Sequence, residues 1–167
     1  PNSDALSMGE VVRKVSDATQ KNAILVTDVG QNQIESARYF QYSQSRSIIT
    51  SGGLGTMGFG IPAAIGAKIG VPNRTVCMFA GDGGFQMSIQ ELGTIMQSNI
   101  GVKMILLNNN YLGMVRQWQE LFYQKRYSAT PMVNPDFNEI ASAYKIANRK
   151  VTRREELDEA IEEMLKD

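Results

Sequence analysis

The sequence predicts a doubly wound parallel α/β sheet flanked by helices, and three observations carry that reading. Two strongly apolar runs, residues 75–80 and 102–108, are separated by a helix-length segment, the pattern of strand, crossover helix and parallel strand. Shorter apolar runs at 23–27 and 47–49 precede them, again with helix-length stretches between. Both long runs lead into residues suited to a sheet's carboxyl edge: Gly81-Asp82-Gly83 after the first, Asn108-Asn109-Asn110 at the end of the second. Open α/β sheets bind ligands at that edge.

Each element has its own signal. Met8, Val11, Val12, Val15 and Ala18 share one face at helical spacing behind Ser7, a candidate cap with Glu10 completing a capping box. The strand at 23–27 ends at Asp28-Val29-Gly30, a helix spans 31–41, and 47–49 is a minimal strand. Glycine dominates from Gly52 to Gly60, before a small-residue helix over 61–69 that tolerates Pro62 in its first turn. Strand 75–80, helix 86–98 and strand 102–108 follow; Met114, Val115, Trp118, Leu121 and Phe122 then trace a further helical face. Residues 124–135 are polar and irregular, with Pro131 and Pro135. Helix 137–144, strand 146–151 and a closing helix complete the order, the last with Leu157, Ala160, Ile161, Met164 and Leu165 as its apolar stripe. No repeat or low-complexity tract is visible.

At 167 residues the chain fits one domain with a substantial core. Its 17 basic and 17 acidic side chains cancel, and no basic cluster marks a nucleic-acid surface. The lone Cys77 lies inside an apolar strand, where a buried, inert thiol is expected. No apolar run reaches the ~20 residues that span a bilayer, and no secretory signal is visible. The expectation is a cytoplasmic protein with no membrane partner. Pro1 in place of an initiator methionine and an end inside a helix suggest a C-terminal piece of a longer multidomain enzyme.

The chemistry concentrates at the carboxyl edge. Asp82 and Asn109 emerge there side by side, and a carboxylate with an amide oxygen makes a hard donor set suited to Mg²⁺. The glycines beside Asp82 let backbone N–H groups approach a phosphate, and a helix beginning near Phe85 would aim its N-terminus at it. The competing reading makes Asp82 a helix cap. Gly53-Leu54-Gly55-Thr56-Met57-Gly58 matches G-x-G-x-x-G, with Asp82 about where a dinucleotide fold puts its ribose-binding acid. Against a nucleotide dehydrogenase stand the very short preceding strand and the extra glycines at 52 and 60. Met114 and Trp118 fit either core packing or a substrate wall. Arg116 and Gln117 fit solvent or an interface. The segment 124–135, with Lys125, Arg126 and Tyr127, is an active-site loop or a surface connection.

The Gly-Asp-Gly to Asn-Asn pairing resembles the thiamine-diphosphate motif. Two further stretches, Thr50 to Ala64 and Gly113 to Tyr127, closely resemble the C-terminal, diphosphate-binding domain of the acetohydroxyacid synthase (acetolactate synthase) large-subunit family. The resemblance implies that Asp82, the Asn109 side chain and the Tyr111 carbonyl hold Mg²⁺, with diphosphate oxygens and a water completing six-fold coordination. It implies diphosphate contacts from Gly83, Gly84 and the Gly30-Gln31 turn, within a cofactor-binding set that includes Gly81, Gly113 and Met114. Met57 would wedge beneath the cofactor, and the Gly55 carbonyl would accept a hydrogen bond from its amino group. Met114 and Val115 would line the site, and Trp118 would help select the second 2-keto acid.

By the same resemblance the substrates are pyruvate and a second pyruvate or 2-ketobutyrate, condensed after loss of CO₂ in branched-chain amino-acid synthesis. Two departures stand out: Asn32 replaces the family's usual histidine, and Gly84 stands where serine is frequent. In the family the glutamate that activates the cofactor comes from an N-terminal domain of a neighbouring subunit, and FAD is held mainly by a central domain. The chain alone is therefore expected to be an inactive half-site of a homo-oligomer, at least a dimer, with a possible regulatory small subunit. An exposed Met/Trp-rich helix would invite self-association. A pyruvate oxidase or 2-keto acid decarboxylase type of enzyme, or a non-catalytic cofactor-binding or dimerisation module, are the alternatives.

Overall fold

The computed structural model describes residues 6–166. Four strands, β1 (Ile24–Thr27), β2 (Ile48–Thr50), β3 (Val76–Gly81) and β4 (Lys103–Leu107), form one sheet in the order β2-β1-β3-β4. Every pairing is parallel. The helices are α1 (Met8–Ala18), α2 (Gln31–Tyr39), α3 (Gly60–Gly70), α4 (Asp82–Met87), α5 (Leu92–Ser98), α6 (Gly113–Phe122), α7 (Phe137–Ala143) and α8 (Leu157–Lys166). The predicted doubly wound class is the observed one.

Alternation along the central strands builds two cores. On one face Ile24, Val26, Val76, Met78 and Ala80 pack with Ile61, Ala64 and Ile65 of α3, Phe85 of α4 and Leu92 and Ile95 of α5. On the other, Leu25, Cys77 and Phe79 pack with Val11, Val12 and Val15 of α1 and Leu157 and Ile161 of α8. Covered on both sides, β3 is apolar throughout, as a central parallel strand must be. Burying each such side chain contributes roughly 1.5–3 kcal/mol before entropy is counted. The Ser7 hydroxyl caps α1 as predicted, accepting the Glu10 N–H at 3.2 Å, but the Glu10 carboxylate pairs with Arg154 and does not close the box. Ala18, however, is exposed.

Two predicted elements change. The single helix expected over 86–98 begins earlier, at Asp82, and divides into α4, a 3-10 turn at Ile89–Glu91, and α5. The break falls at Ser88 (φ −134°), where the glycine loop packs so closely that a Cβ on Gly58 would lie 3.0 Å from Met87 Cβ. No strand forms over 146–151. Its polar side chains turn to the helices instead: Asn148 bonds Asn138 and Ser142, and Arg149 pairs with Glu159 and Glu163 of α8. The sheet therefore ends at β4, whose residues are all partly exposed. Boundaries elsewhere move by a residue or two: α2 stops at Tyr39, β2 starts at Ile48, and α7 stops at Ala143. Asp167, the end of the predicted closing helix, lies outside the described residues.

Candidate functional site

The chain leaves β1 toward β2 on one side and β3 toward β4 on the other, so the topological switch point lies between β1 and β3. Ligands of open α/β sheets sit at the carboxyl end of that point. Two junctions flank it: Asp28 to Gly30 between β1 and α2, and Gly81 to Gly84, where β3 passes directly into α4. The G-x-G-x-x-G loop follows β2 instead, a three-residue strand at the sheet's edge. A dinucleotide fingerprint needs the strand at the switch point, so the fold disfavours that reading.

Asp28 ties these pieces together. Its carboxylate is 1% exposed and accepts N–H bonds from Val29 (2.7 Å), Gly58 (3.1 Å) and Gly60 (2.8 Å). The helix α3 has no side-chain cap of its own at Phe59, so Asp28 caps it from across the fold. The same carboxylate occupies the space beside Gly84, where a Cβ would lie 2.2 Å from Asp28 Oδ1. A side chain at position 84 would therefore have to displace the Asp28 carboxylate from its three N–H donors.

Asp82 is the second buried carboxylate, 2% exposed. Gly81 pairs with Leu107 across β3 and β4, which sets Asp82 level with Asn108 and one residue short of Asn109. Both partners of the carboxylate are neutral: the Gly83 N–H at 3.2 Å and the Asn134 amide at 2.6 Å. That Asn134 nitrogen also faces Asn108 Oδ1 (3.0 Å) and Asn110 Oδ1 (3.1 Å). Asn109 points elsewhere. Its Oδ1 accepts the Tyr111 N–H at 3.0 Å, and its amide faces Gln31 Oε1 at 3.4 Å.

Gln31, Asn109, Tyr111, Gly113 and Arg116 line a cleft of about 210 Å³. The Gln31 amide also reaches Gln117 at 3.2 Å. Gly113 admits this arrangement, since a Cβ there would stand 2.2 Å from Gln31 Oε1. Gly30 adopts φ 130°, a backbone state that favours glycine, and opens the turn beside it. A Cβ on Gly83 would lie 3.4 Å from the Met57 methyl and 2.8 Å from Leu112 Cδ2, so the glycine-loop methionine does reach the end of β3. Gly55 turns through φ 62° next to Val29.

The outer residues of the predicted set are more exposed. Trp118 is 55% and Val115 48% exposed, while Met114 is half-buried. The Trp118 ring packs on Phe122 of the same helix, 4.9 Å between centroids. The core-packing alternative for Trp118 is thus wrong, because α6 buries no residue. Arg116 stacks between the Tyr111 and Tyr127 rings at 4.4 and 4.1 Å, a double cation–π contact. Asn32 is buried with its amide on the Val29 carbonyl (3.3 Å) and its Oδ1 unpaired, so its donor faces the turn's backbone. Burial pushes the Cys77 thiol up to about 12, as an inert core residue requires.

Sequence reasoning passed over Asp28 and Asn134. Asp28 had a readable signal, a carboxylate before a glycine at a strand's carboxyl end, just as in Asp82. Asn134 had none. It arrives because residues after α6 run back antiparallel to the asparagine turn, with Leu112 N–H bonded to Thr130 O and Met132 N–H to Asn110 O, both 2.9 Å.

This architecture, with two glycine turns and a buried carboxylate at the switch point, defines a diphosphate-type cofactor domain. A family model of the thiamine pyrophosphate enzyme C-terminal TPP binding domain matches residues 28–167, and the chain belongs to that family. Among curated relatives, the acetolactate synthase isozyme 2 large subunit of Escherichia coli (strain K12) is 45% identical over 97% of this chain and 30% of its own length. The acetolactate synthase large subunit of Lactococcus lactis subsp. lactis (strain IL1403) is 50% identical over 90% of the chain and 26% of its own length. The mitochondrial acetolactate synthase catalytic subunit of Saccharomyces cerevisiae (strain ATCC 204508 / S288c) is 43% identical over 91% and 22%. The chain thus spans less than a third of these relatives.

The residues fit a metal-bound diphosphate. The Asp82 carboxylate is buried at the end of β3, level with the asparagine turn after β4, and Gly30, Gly83 and Gly84 keep side chains off the adjoining backbone. Among the described residues no cluster of three His, Cys, Asp or Glu side chains could hold a metal. A cation at Asp82 would therefore draw its other ligands from amide and backbone oxygens and from the diphosphate.

Proposed function

We propose that this chain is the cofactor-holding domain of an acetolactate synthase catalytic subunit, taking thiamine diphosphate through Mg²⁺. The observation that carries the reading is the buried Asp82 carboxylate at the end of β3, level with the asparagine turn that follows β4, in a chain of this family. Thiamine diphosphate supplies the chemistry by which pyruvate loses CO₂ and its two-carbon unit joins a second 2-keto acid. The protein's task is to bind, orient and exclude water.

In this reading Asp82, the Asn109 side chain and the Tyr111 carbonyl hold Mg²⁺. Amides of Gly83, Gly84 and the Gly30-Gln31 turn bind the diphosphate, with Gly81 and Gly113 giving backbone clearance. Met57 supports the cofactor from the β3 side, the Gly55 carbonyl orients its amino group, and Met114, Val115 and Trp118 face the keto acids. The Asn109 amide must leave Gln31, and its Oδ1 the Tyr111 N–H, for Asn109 to serve as a ligand. The exposed α6 face, with Trp118, Leu121 and Phe122, supports a second subunit meeting the domain here. That subunit would bring the activating glutamate. FAD binding, a regulatory subunit and a cytoplasmic setting belong to the same proposal for the whole protein.

The test is product analysis on the full-length protein with pyruvate and Mg²⁺. Acetolactate formation, abolished in Asp82→Ala, is expected, with no turnover by the present chain alone. Release of CO₂ without acetolactate would favour the oxidase or decarboxylase alternative. Turnover by the chain alone would refute the half-site reading.

A further inference from the structure

Three oxygens converge on one amide nitrogen at the end of β3. Asn134 Nδ2 lies 2.6 Å from Asp82 Oδ2, 3.0 Å from Asn108 Oδ1 and 3.1 Å from Asn110 Oδ1. A carboxamide nitrogen carries only two hydrogens, so three acceptors exceed what it can satisfy fully. A neutral donor thus takes up the buried Asp82 carboxylate, the charged group of the proposed cation seat, and shares itself with Asn108 and Asn110.

The amide is held there deliberately by the surrounding chain. Gln86 of α4 donates to Asn134 Oδ1 at 3.0 Å, which fixes the carboxamide with its nitrogen toward Asp82. The antiparallel return through Thr130 and Met132 delivers Asn134 to the site, and Asn110 at φ 59° turns its own side chain to meet it. Pro135 and the Asp136 cap of α7 follow immediately, so the backbone beyond Asn134 is anchored.

The geometry points to Asn134 as an internal competitor for the cation: its amide holds, at 2.6 Å, the Asp82 carboxylate that the proposed Mg²⁺ would need. This rests on the proposed cation seat at Asp82. Asn134 is a positioning residue that sets how tightly the seat takes metal, and entry of the cation releases the 130–134 segment from Asp82. Linkage then requires that the contact stabilise the chain only when no cation is bound.

The experiment is titration of the purified chain with Mn²⁺, followed by the electron paramagnetic resonance of free Mn²⁺, with Mg²⁺ as competitor. Asn134→Ala is expected to bind Mn²⁺ about tenfold more tightly than the parent, the equivalent of losing one charge-assisted hydrogen bond of about 1.4 kcal/mol. Its melting temperature should fall below the parent's without divalent metal and meet it at saturating Mg²⁺. A merely structural asparagine would lower the melting temperature equally in both conditions. Asn134→Ser, too short to reach all three oxygens, should behave likewise and serves if the alanine variant does not fold. Equal or weaker Mn²⁺ binding in the variants would overturn the competitor role and leave the cation seat standing. No Mn²⁺ binding by parent and variants alike would overturn both.

Discussion

Removing the Asp28 carboxylate should cost this fold more than any change at its surface. Asp28→Ala strips the acceptor from the Gly58 and Gly60 amides, held at 3.1 and 2.8 Å in a position 1% exposed. Each hydrogen bond to a charged group contributes about 1.5–3 kcal/mol, so the gross loss is roughly 3–6 kcal/mol. Relief of the buried charge's desolvation offsets part of that, leaving about 3 kcal/mol as the expected loss. Asp28→Asn should lose about half as much, since its amide can keep an oxygen toward Gly58 but must turn a donor toward Gly60 N–H. Gly84→Ala supplies an independent check, because its Cβ would fall 2.2 Å from Asp28 Oδ1 and 2.7 Å from Cγ. That overpacking should cost about 1–3 kcal/mol in the parent and much less in the Asp28→Ala background. Urea unfolding followed by circular dichroism measures all four corners of the cycle. Asp28→Ala within about 0.5 kcal/mol of the parent, or additive effects of the two changes, would refute the reasoning.

Other consequences are simpler to measure. Cys77 should resist thiol reagents at pH 8 until denaturant is added. Its folded thiol stays protonated to about 12, above the ordinary 9.0, so stability should hold below pH 9 and decline as pH rises toward 12. Fast labelling of the native chain would contradict that burial. Trp118, the single tryptophan, should show solvent-like emission open to acrylamide quenching. A blue-shifted, protected signal at high protein concentration would report self-association through α6, whereas protection at high dilution would contradict the exposure. Gly113→Ala places a Cβ 2.2 Å from Gln31 Oε1, and should weaken thiamine diphosphate binding by about tenfold (about 1.4 kcal/mol) while the melting temperature changes little. Unchanged affinity would separate the Gln31 cleft from the cofactor site.

Much of this was legible because local chemistry and global fold agree. The apolar run at β3 is buried on both faces between its neighbours, and its parallel pairing with β4 fixes the placement of Asp82. Strand 146–151 was misread because Ile146 and Val151 supply apolar ends, while Asn148 and Arg149 between them find better partners on α7 and α8. The helix over 86–98 was misread because nothing in its periodicity reveals the glycine loop pressing on Met87. At the site, the sequence indicates which loops meet but not which amide points where. Adjacent asparagines 108, 109 and 110 are chemically alike, and their division between Asn134 and Gln31 follows from backbone turns. Asn134 depends on a loop return that leaves no periodic trace.

The most direct test of the account is calorimetric titration of thiamine diphosphate into the purified chain, with and without Mg²⁺, alongside Asp82→Ala and an NAD control. Saturable heat that requires Mg²⁺, disappears in Asp82→Ala and is absent with NAD is the expected result. Thiamine diphosphate binding that persists without Mg²⁺ or in Asp82→Ala, or saturable binding of NAD instead, would contradict it.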